Sequence, residues 1–453
     1  MRLTHFPIGD QSERTAGPAT KAHRMKRVLI HSHDTFGLGN IRRMLEVARH
    51  VVQSSPDVSV LIITGSPMLH AFRIPPRIDY VKLPCLSRGV DGHYGARFLD
   101  LSLDETVRLR ANIIRSTIAD FGPDLILVDK KPFGVENELS GALADLPGRE
   151  RRPKLVLLLR DILDSPEATT LVWRKQGYFE AIEAYYDQVL VVGSPEVFDL
   201  RREYGFPPFA AAKVQFCGYI ARQPGQVSPA AVRRGLGVAS HEPLVLVTPG
   251  GGQDGYDLID ACLKGLLALP PVQRPRTHIV CGPEMGAPKR AAIAQAALEL
   301  PQVSLQDFSE DMMSLMAAAD VVLSMGGYNT VCELLTLHKR AVVVPRVRPV
   351  QEQGIRAERM AAQGLLCTLH PDQLTPATLW QALHSELAAL ARQAPLPTLK
   401  TMHGLEFVTA AIFDLIELEA AANVAAVPPT GPAPGMHVPP PTLREALLET
   451  HTA

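Results

Sequence analysis

The stretch Val321-Val322-Leu323-Ser324-Met325-Gly326-Gly327-Tyr328-Asn329-Thr330-Val331-Cys332-Glu333 constrains the fold more than any other part of the chain. An apolar, β-branched run leads into two glycines, and a helical pattern follows. That is a strand, a tight turn and a helix start. Glycines at such a turn let a ligand's phosphates approach bare backbone N–H groups, and the helix N-terminus adds a partial positive charge. Glu333 lies further along that helix, within reach of a sugar ring attached to those phosphates. After the run Ala341-Val342-Val343-Val344 comes Pro345-Arg346-Val347-Arg348-Pro349-Val350-Gln351-Glu352-Gln353, whose close-packed polar groups suit a second sugar. Together these segments suggest a site for a nucleotide diphosphate sugar.

The same grammar recurs along the chain. Strands are expected at Arg27–His31, Val58–Thr64, Leu125–Asp129, Leu155–Arg160 and Gln188–Val192. A second series covers Leu244–Thr248, Thr277–Cys281, Val303–Gln306, Val321–Ser324 and Ala341–Pro345. Most are short β-branched runs without alternation, as strands buried on both faces of a parallel sheet require. Helical patterns lie between them. The clearest runs from Asn40 to Val52, with Ile41, Met44, Leu45, Ala48, Val51 and Val52 on one face. Each series opens with a strand and a glycine loop: Thr35-Phe36-Gly37-Leu38-Gly39-Asn40 in the first, Thr248-Pro249-Gly250-Gly251-Gly252-Gln253 in the second.

A chain of 453 residues exceeds one typical domain. The expected organisation is an unstructured segment 1–25, an α/β domain 26–222 and a second α/β domain 223–400. A helix over 401–422 packs back across the interface, and a proline-rich flexible tail follows over 423–453. A short helix at Thr442 to Thr450 is allowed within that tail. Two doubly wound sheets facing each other would form a cleft at the carboxyl ends of their strands.

Bulk composition narrows the function classes. A hydrophobic fraction of 46% and a charged fraction of 21% are those of a soluble globular protein. A formal net charge of −1 gives no global field to draw in nucleic acid. The six scattered cysteines form no C-x-x-C pair, which argues against a zinc site or a disulfide framework and for a reducing cytosol. No apolar run has the length to cross a bilayer. A cytoplasmic protein is expected, with peripheral contact at the inner face of the membrane left open.

Residues Ser309 to Glu358 resemble the C-terminal half of family 28 glycosyltransferases. The matching pieces are Phe308-Ser309-Glu310-Asp311-Met312, Ala319-Asp320, Gly326 to Glu333, Pro345, and Glu352-Gln353 followed by Ala357. The N-terminal half is similar to a predicted glycosyltransferase group whose opening motif runs S-H-D-T-F-G-L-G-H-x-R-R. Here it reads Ser32-His33-Asp34-Thr35-Phe36-Gly37-Leu38-Gly39-Asn40-Ile41-Arg42-Arg43. The resemblance implies the two-domain GT-B fold and an inverting transfer of a hexose or N-acetylhexosamine from a UDP-sugar donor. It implies no cofactor and no metal ion, and the chain has no D-x-D motif after a strand. The acceptor is open, with lipid-linked molecules among the candidates.

By position, the resemblance places Glu333 on the ribose hydroxyls. Gly250, Gly251, Gly252, Gly326 and Gly327 would face the diphosphate, with Asn329 and Thr330 beside it. Glu352 and Gln353 would contact the donor sugar, and the Ser309 backbone would read the base edge. Gly37, Gly39 and His93, on a loop over the cleft, belong to the acceptor side. Asn40 stands where the related motif has His, and Asn takes no proton at neutral pH. His33 beside Asp34 is the replacement base, since a nearby carboxylate raises imidazole basicity. Lys130-Lys131 would meet an anionic acceptor, against a plain surface pair. Arg42-Arg43 is read as lying on a solvated helix face. Two other functions fit the same fold: a UDP-sugar 2-epimerase, and a protein that holds a nucleotide sugar without turning it over. A nicotinamide dinucleotide is disfavoured because the first loop lacks the full G-x-G-x-x-G.

Overall fold

The computed structural model describes residues 24–33, 39–67, 72–88 and 94–418. Within them, fifteen strands run in chain order as β1 (Lys26–His31), β2 (Val58–Thr64), β3 (Ile78–Lys82), β4 (Leu86–Arg88), β5 (Tyr94–Ala96), β6 (Leu125–Asp129), β7 (Lys154–Arg160), β8 (Gln188–Val192), β9 (Val214–Phe216), β10 (Leu244–Thr248), β11 (Arg276–Val280), β12 (Val303–Gln306), β13 (Val321–Ser324), β14 (Ala341–Val343) and β15 (Cys367–Thr368).

The first sheet has the order β3-β2-β1-β6-β7-β8-β9, and every neighbouring pair is parallel. The second has the order β12-β11-β10-β13-β14-β15, again parallel throughout. In each, the chain winds outward from the opening strand, then returns to its other side. The reversal falls between β1 and β6 in the first sheet and between β10 and β13 in the second. A crevice opens at the carboxyl ends of strands at such reversals.

The central strands are apolar because helices cover both faces. Val28, Leu29 and Ile30 of β1, and Leu125 to Val128 of β6, are almost wholly excluded from solvent. So are Val321, Val322 and Leu323 of β13. The expected strands are found within a residue or two. β3, the hairpin β4–β5, β9 and β15 were not anticipated. These are edge strands or very short ones, and only β3 exceeds three residues. β3 has three of its five residues exposed, so it lacks the continuous apolar run that marks a central strand.

The helix expected over Asn40 to Val52 spans Gly39–Ser54 and buries Ile41, Met44, Leu45, Val47, Ala48, Val51 and Val52. One apolar stripe facing the sheet gives this pattern. In the C-terminal region the helix Gly404–Ile416 returns to the first half. His50 Nδ1 and Thr409 Oγ1 lie 2.7 Å apart, the Lys26 ammonium donates to the Ile416 carbonyl, and Tyr219 N donates to Thr401 O at 2.8 Å. The expected unstructured ends, apart from Arg24 and Met25, and the short helix at Thr442 to Thr450 lie outside the described residues. Among the described residues no helix is long and apolar enough to cross a membrane.

Candidate functional site

The carboxyl ends of both sheets open onto one cavity of about 700 Å³. Its second-half wall combines the glycine turns at Gly250, Gly251, Gly326 and Gly327 with Ser309, Asn329, Thr330, Glu333, Glu352 and Gln353, and with larger side chains such as Phe308, Met312 and Arg346. Its first-half wall carries Gly39, Asn40, Arg42, Arg43, Tyr94, Lys130, Lys131, Arg160 and Trp173.

Gly326 follows β13 with φ +68, in the left-handed region, and a Cβ there would lie 2.5 Å from Val343 Cγ1. Only glycine fits this turn without moving β14. The turn hands over directly to the helix Tyr328–Thr336, whose first residues Tyr328, Asn329 and Thr330 line the cavity and whose opening N–H groups have no partner within the helix. Gln353 lies close by: its Oε1 accepts from Arg346 N at 3.1 Å, and its Nε2 is 4.0 Å from the Cβ position of Gly327.

Most of the expected site residues converge here. Gly39, Asn40, Gly250, Gly251, Ser309, Gly326, Gly327, Asn329, Thr330, Glu333, Glu352 and Gln353 all line the cavity. Gly252 does not. It has φ +93 and sits so close to the next loop that a Cβ would lie 2.3 Å from the Cys281 carbonyl oxygen. Its role is tight loop-to-loop packing rather than exposure to a ligand. Asp34, Gly37 and His93 lie outside the described residues.

His33 is buried and does not line the cavity. Both its ring nitrogens lack a hydrogen-bond partner among the described residues. Burial, helped by the Lys130 and Lys131 charges, holds its imidazole well below the ordinary range. His33 is therefore neutral at physiological pH.

Asn40 is fixed rather than free. Its Nδ2 donates to the His33 carbonyl at 2.7 Å, and its Oδ1 accepts from Arg43 Nη2 at 3.4 Å. Arg43 also donates to Asp129 Oδ1 at 2.6 Å, and Asp129 Oδ2 accepts from His33 N at 3.3 Å. The amide thus closes a ring that holds the two ends of the first loop together. The solvated-face reading of Arg42-Arg43 is corrected by this geometry. Arg43 is 2% exposed because Asp129, at the end of β6, supplies its counter-charge. Arg42 reaches across the cavity, its Nη2 3.6 Å from Glu333 Oε1.

Glu333 is 3% exposed, and burial pushes its carboxyl above the usual range while Arg42 and Arg222 pull against that shift. Beside it, Asn329 Oδ1 accepts from Arg222 Nη2 at 2.6 Å, and its Nδ2 donates to the Gly39 carbonyl at 3.2 Å. Glu352 opens the helix Glu352–Ala362. Its Oε1 lies 2.6 Å from Arg160 Nη1 and 2.9 Å from Arg356 Nη2. Burial alone would raise its pKa, but the two guanidiniums outweigh that and hold it below the usual range.

Several cavity residues carried a weak sequence signal or none. Arg160 ends β7 and Lys130 directly follows β6, at the strand ends where α/β sites form, and that position was the available clue. Lys130 has φ +71, and burial, with Arg160 next in effect, brings its ammonium down to about 8. Lys131 Nζ lies 5.7 Å from the Tyr94 ring centroid. Glu284 follows β11; its Oε2 lies 3.1 Å from the Cβ position of Gly251, and burial raises its pKa. Among the described residues no cluster of His, Cys, Asp or Glu has the makings of a metal site.

Solved structures with this arrangement are GT-B glycosyltransferases. MurG of Acinetobacter baumannii superposes with a TM-score of 0.54 at 16% identity, over 86% of this chain and 99% of that one. A UDP-glucosyltransferase of Polygonum tinctorium gives 0.59 at 12% identity, over 88% and 100%. The fold is therefore GT-B, two doubly wound sheets meeting at a cleft.

Within that class, residues 244–403 match the glycosyltransferase family 28 C-terminal domain. An uncharacterized glycosyltransferase of Methanopyrus kandleri is 25% identical over 51% of this chain and 62% of its own length. The UDP-N-acetylglucosamine–N-acetylmuramyl-(pentapeptide) pyrophosphoryl-undecaprenol N-acetylglucosamine transferase of Alkalilimnicola ehrlichii is 32% identical over 35% and 43%. The chain thus spans less than two thirds of either curated relative.

Proposed function

We propose that the protein transfers a hexosyl or N-acetylhexosaminyl group from a UDP-sugar to a hydroxyl acceptor, with inversion and without a metal ion. One observation carries the reading. The polar and glycine positions of the family 28 domain converge on a cavity whose opposite wall is cationic and aromatic.

In this reading the diphosphate lies against Gly250, Gly251, Gly326 and Gly327. Backbone N–H groups there and the start of the helix Tyr328–Thr336 stabilise the charge that develops on the leaving group. Glu333 accepts from the ribose hydroxyls, displacing Arg42. Gln353 and Glu352 meet the sugar. The wall formed by Lys130, Lys131, Tyr94 and Trp173 is the acceptor side, and its cations favour an acceptor with negative charge, a lipid-linked phosphate among them. Asn40 holds the first loop in place and takes no proton.

Calorimetry with UDP tests the donor site. Glu333→Ala should weaken binding by about 1–3 kcal/mol, the scale of hydrogen bonds to a charged group. Unchanged affinity removes Glu333 from the site. A second reading, nucleotide-sugar binding without turnover, is favoured by the engaged Asn40 amide and the enclosed His33 ring. Mass spectrometry of cell extract incubated with labelled donor separates the two, since a labelled glycoside forms only under the first.

A further inference from the structure

The sugar-facing carboxylate of the second half is held by the first half. Glu352 starts a helix of the family 28 domain, yet the shortest contact on its carboxylate comes from Arg160, the last residue of β7 in the other sheet. Arg356, one turn along, approaches the same oxygen, Oε1, at 2.9 Å. No hydrogen bond among the described residues ends on Oε2, and Glu352 lines the cavity.

The supports behind this pair come from the same strand end. Arg356 is fully buried and lies 3.4 Å from Asp161 Oδ1, the residue after Arg160. Asp161 accepts from the Tyr219 hydroxyl and from Ile162 N at 2.8 Å, so it has little freedom to move. The guanidinium of Arg356 also lies 5.4 Å from the Tyr328 ring centroid, at the start of the glycine-loop helix. A ladder of alternating charge, Arg160–Glu352–Arg356–Asp161, therefore begins at the last residue of β7, ends at the residue that follows it, and encloses the first turn of the helix Glu352–Ala362.

We infer that Arg160 is a positioning residue for the donor sugar: by pinning Oε1 of Glu352 from the opposite half, it aims Oε2 at the sugar hydroxyls. The inference rests on the donor reading above and adds to it a dependence on the other half of the molecule. A carboxylate that accepts two charged bonds on one oxygen stays ionised, and its second oxygen is a strong, oriented acceptor. Without Arg160 the side chain keeps Arg356 but gains rotamer freedom, and the sugar must supply the ordering entropy that the protein now supplies.

The test compares ligands with and without the sugar. Affinities for UDP, UDP-glucose and UDP-N-acetylglucosamine are measured by calorimetry on the full chain. Arg160→Gln should lower the ratio of UDP-sugar to UDP affinity by about tenfold, the scale of one charge-assisted bond, and leave UDP itself unchanged. Arg160→Lys should restore part of the ratio, and Glu352→Gln should lower it with no further loss in the double variant. Retained UDP binding shows that each variant is folded at the site. An equal loss for UDP and UDP-sugar, or no change in the ratio, overturns the positioning role and leaves the donor reading standing. Failure of the wild-type chain to bind any of the three ligands overturns the donor reading itself, and this inference with it.

Discussion

The two sheets reach the cavity with the same topology and finish their strands in opposite ways. In the first half, the strand ends carry charge: Asp129 with Arg43, Arg160 with Glu352, Asp161 with Arg356, and His31 with Glu138 and Arg110 just behind. In the second half they carry bare backbone at Gly250, Gly251, Gly326 and Gly327. Charged side chains make a wall with a defined field. Glycine turns make a wall that a diphosphate can touch directly. One fold used twice yields two surfaces of different chemistry, which suits the separate donor and acceptor of the proposed transfer.

The largest expected effect comes from breaking the charged wall at its root. Glu138 accepts from Arg110 Nη2 at 2.9 Å and lies 2.9 Å from His31 Nε2, and all three side chains are buried. Burial works to raise the Glu138 carboxyl, but His31 and Arg110 outweigh it and bring it down to about 2. Glu138→Gln leaves Arg110 buried without its counter-charge, and should cost about 3–5 kcal/mol in urea denaturation at neutral pH. The folded pKa lies below the ordinary carboxylate value of 4.5, so this contribution is present above 4.5 and is lost as pH falls toward about 2. The variant's acid limb should be correspondingly flatter.

The matching break in the backbone wall is Gly326→Ala. The left-handed φ and the clash with Val343 together should cost about 2–3 kcal/mol of stability and, with the turn displaced, abolish measurable UDP binding. A variant that binds UDP normally would remove this turn from the phosphate site.

Lys130→Met sharpens the comparison with the smallest effect and the opposite sign. The ammonium is half-buried and its pKa is lowered to about 8. Its cost to the folded state is complete below pH 8 and is relieved as pH rises toward the ordinary 10.5, because the unfolded chain keeps the proton over that window. The variant should gain about 1–2 kcal/mol at pH 7, after allowance for solvent screening, and lose the rise in stability above pH 8. Acceptor transfer should fall while UDP affinity holds.

The parts of this molecule that were legible in the sequence are local ones. β2, β6, β8, β10 and β13 have the expected limits, because an interior strand needs a largely apolar run and little else. Gly326-Gly327 could be read because a turn's backbone demand falls on the residues themselves. The charged wall could not. Arg43 looks like any helix-surface arginine until Asp129, 86 residues away, is placed beside it. Glu352 and Arg160 are separated by 192 residues. Burial of a charge is decided by its partner, and sequence spacing says nothing about a partner brought in by the fold. Asn40 is a mixed case: the sequence marks its position, and only the contacts to His33 and Arg43 show its task.

Asn329 carries a last consequence. Its single amide is bonded on one side to Arg222, in the segment that joins the two sheets, and on the other to the Gly39 carbonyl at the head of the first long helix. Arg222 is also tied to the second half, its N donating to Thr336 Oγ1 at 3.1 Å, so parting the walls breaks the Gly39 bond and leaves the Arg222 bond intact. The amide therefore acts as a latch of about 0.5–1.5 kcal/mol at the lip of the chamber, strong enough to favour the shut arrangement and weak enough to release.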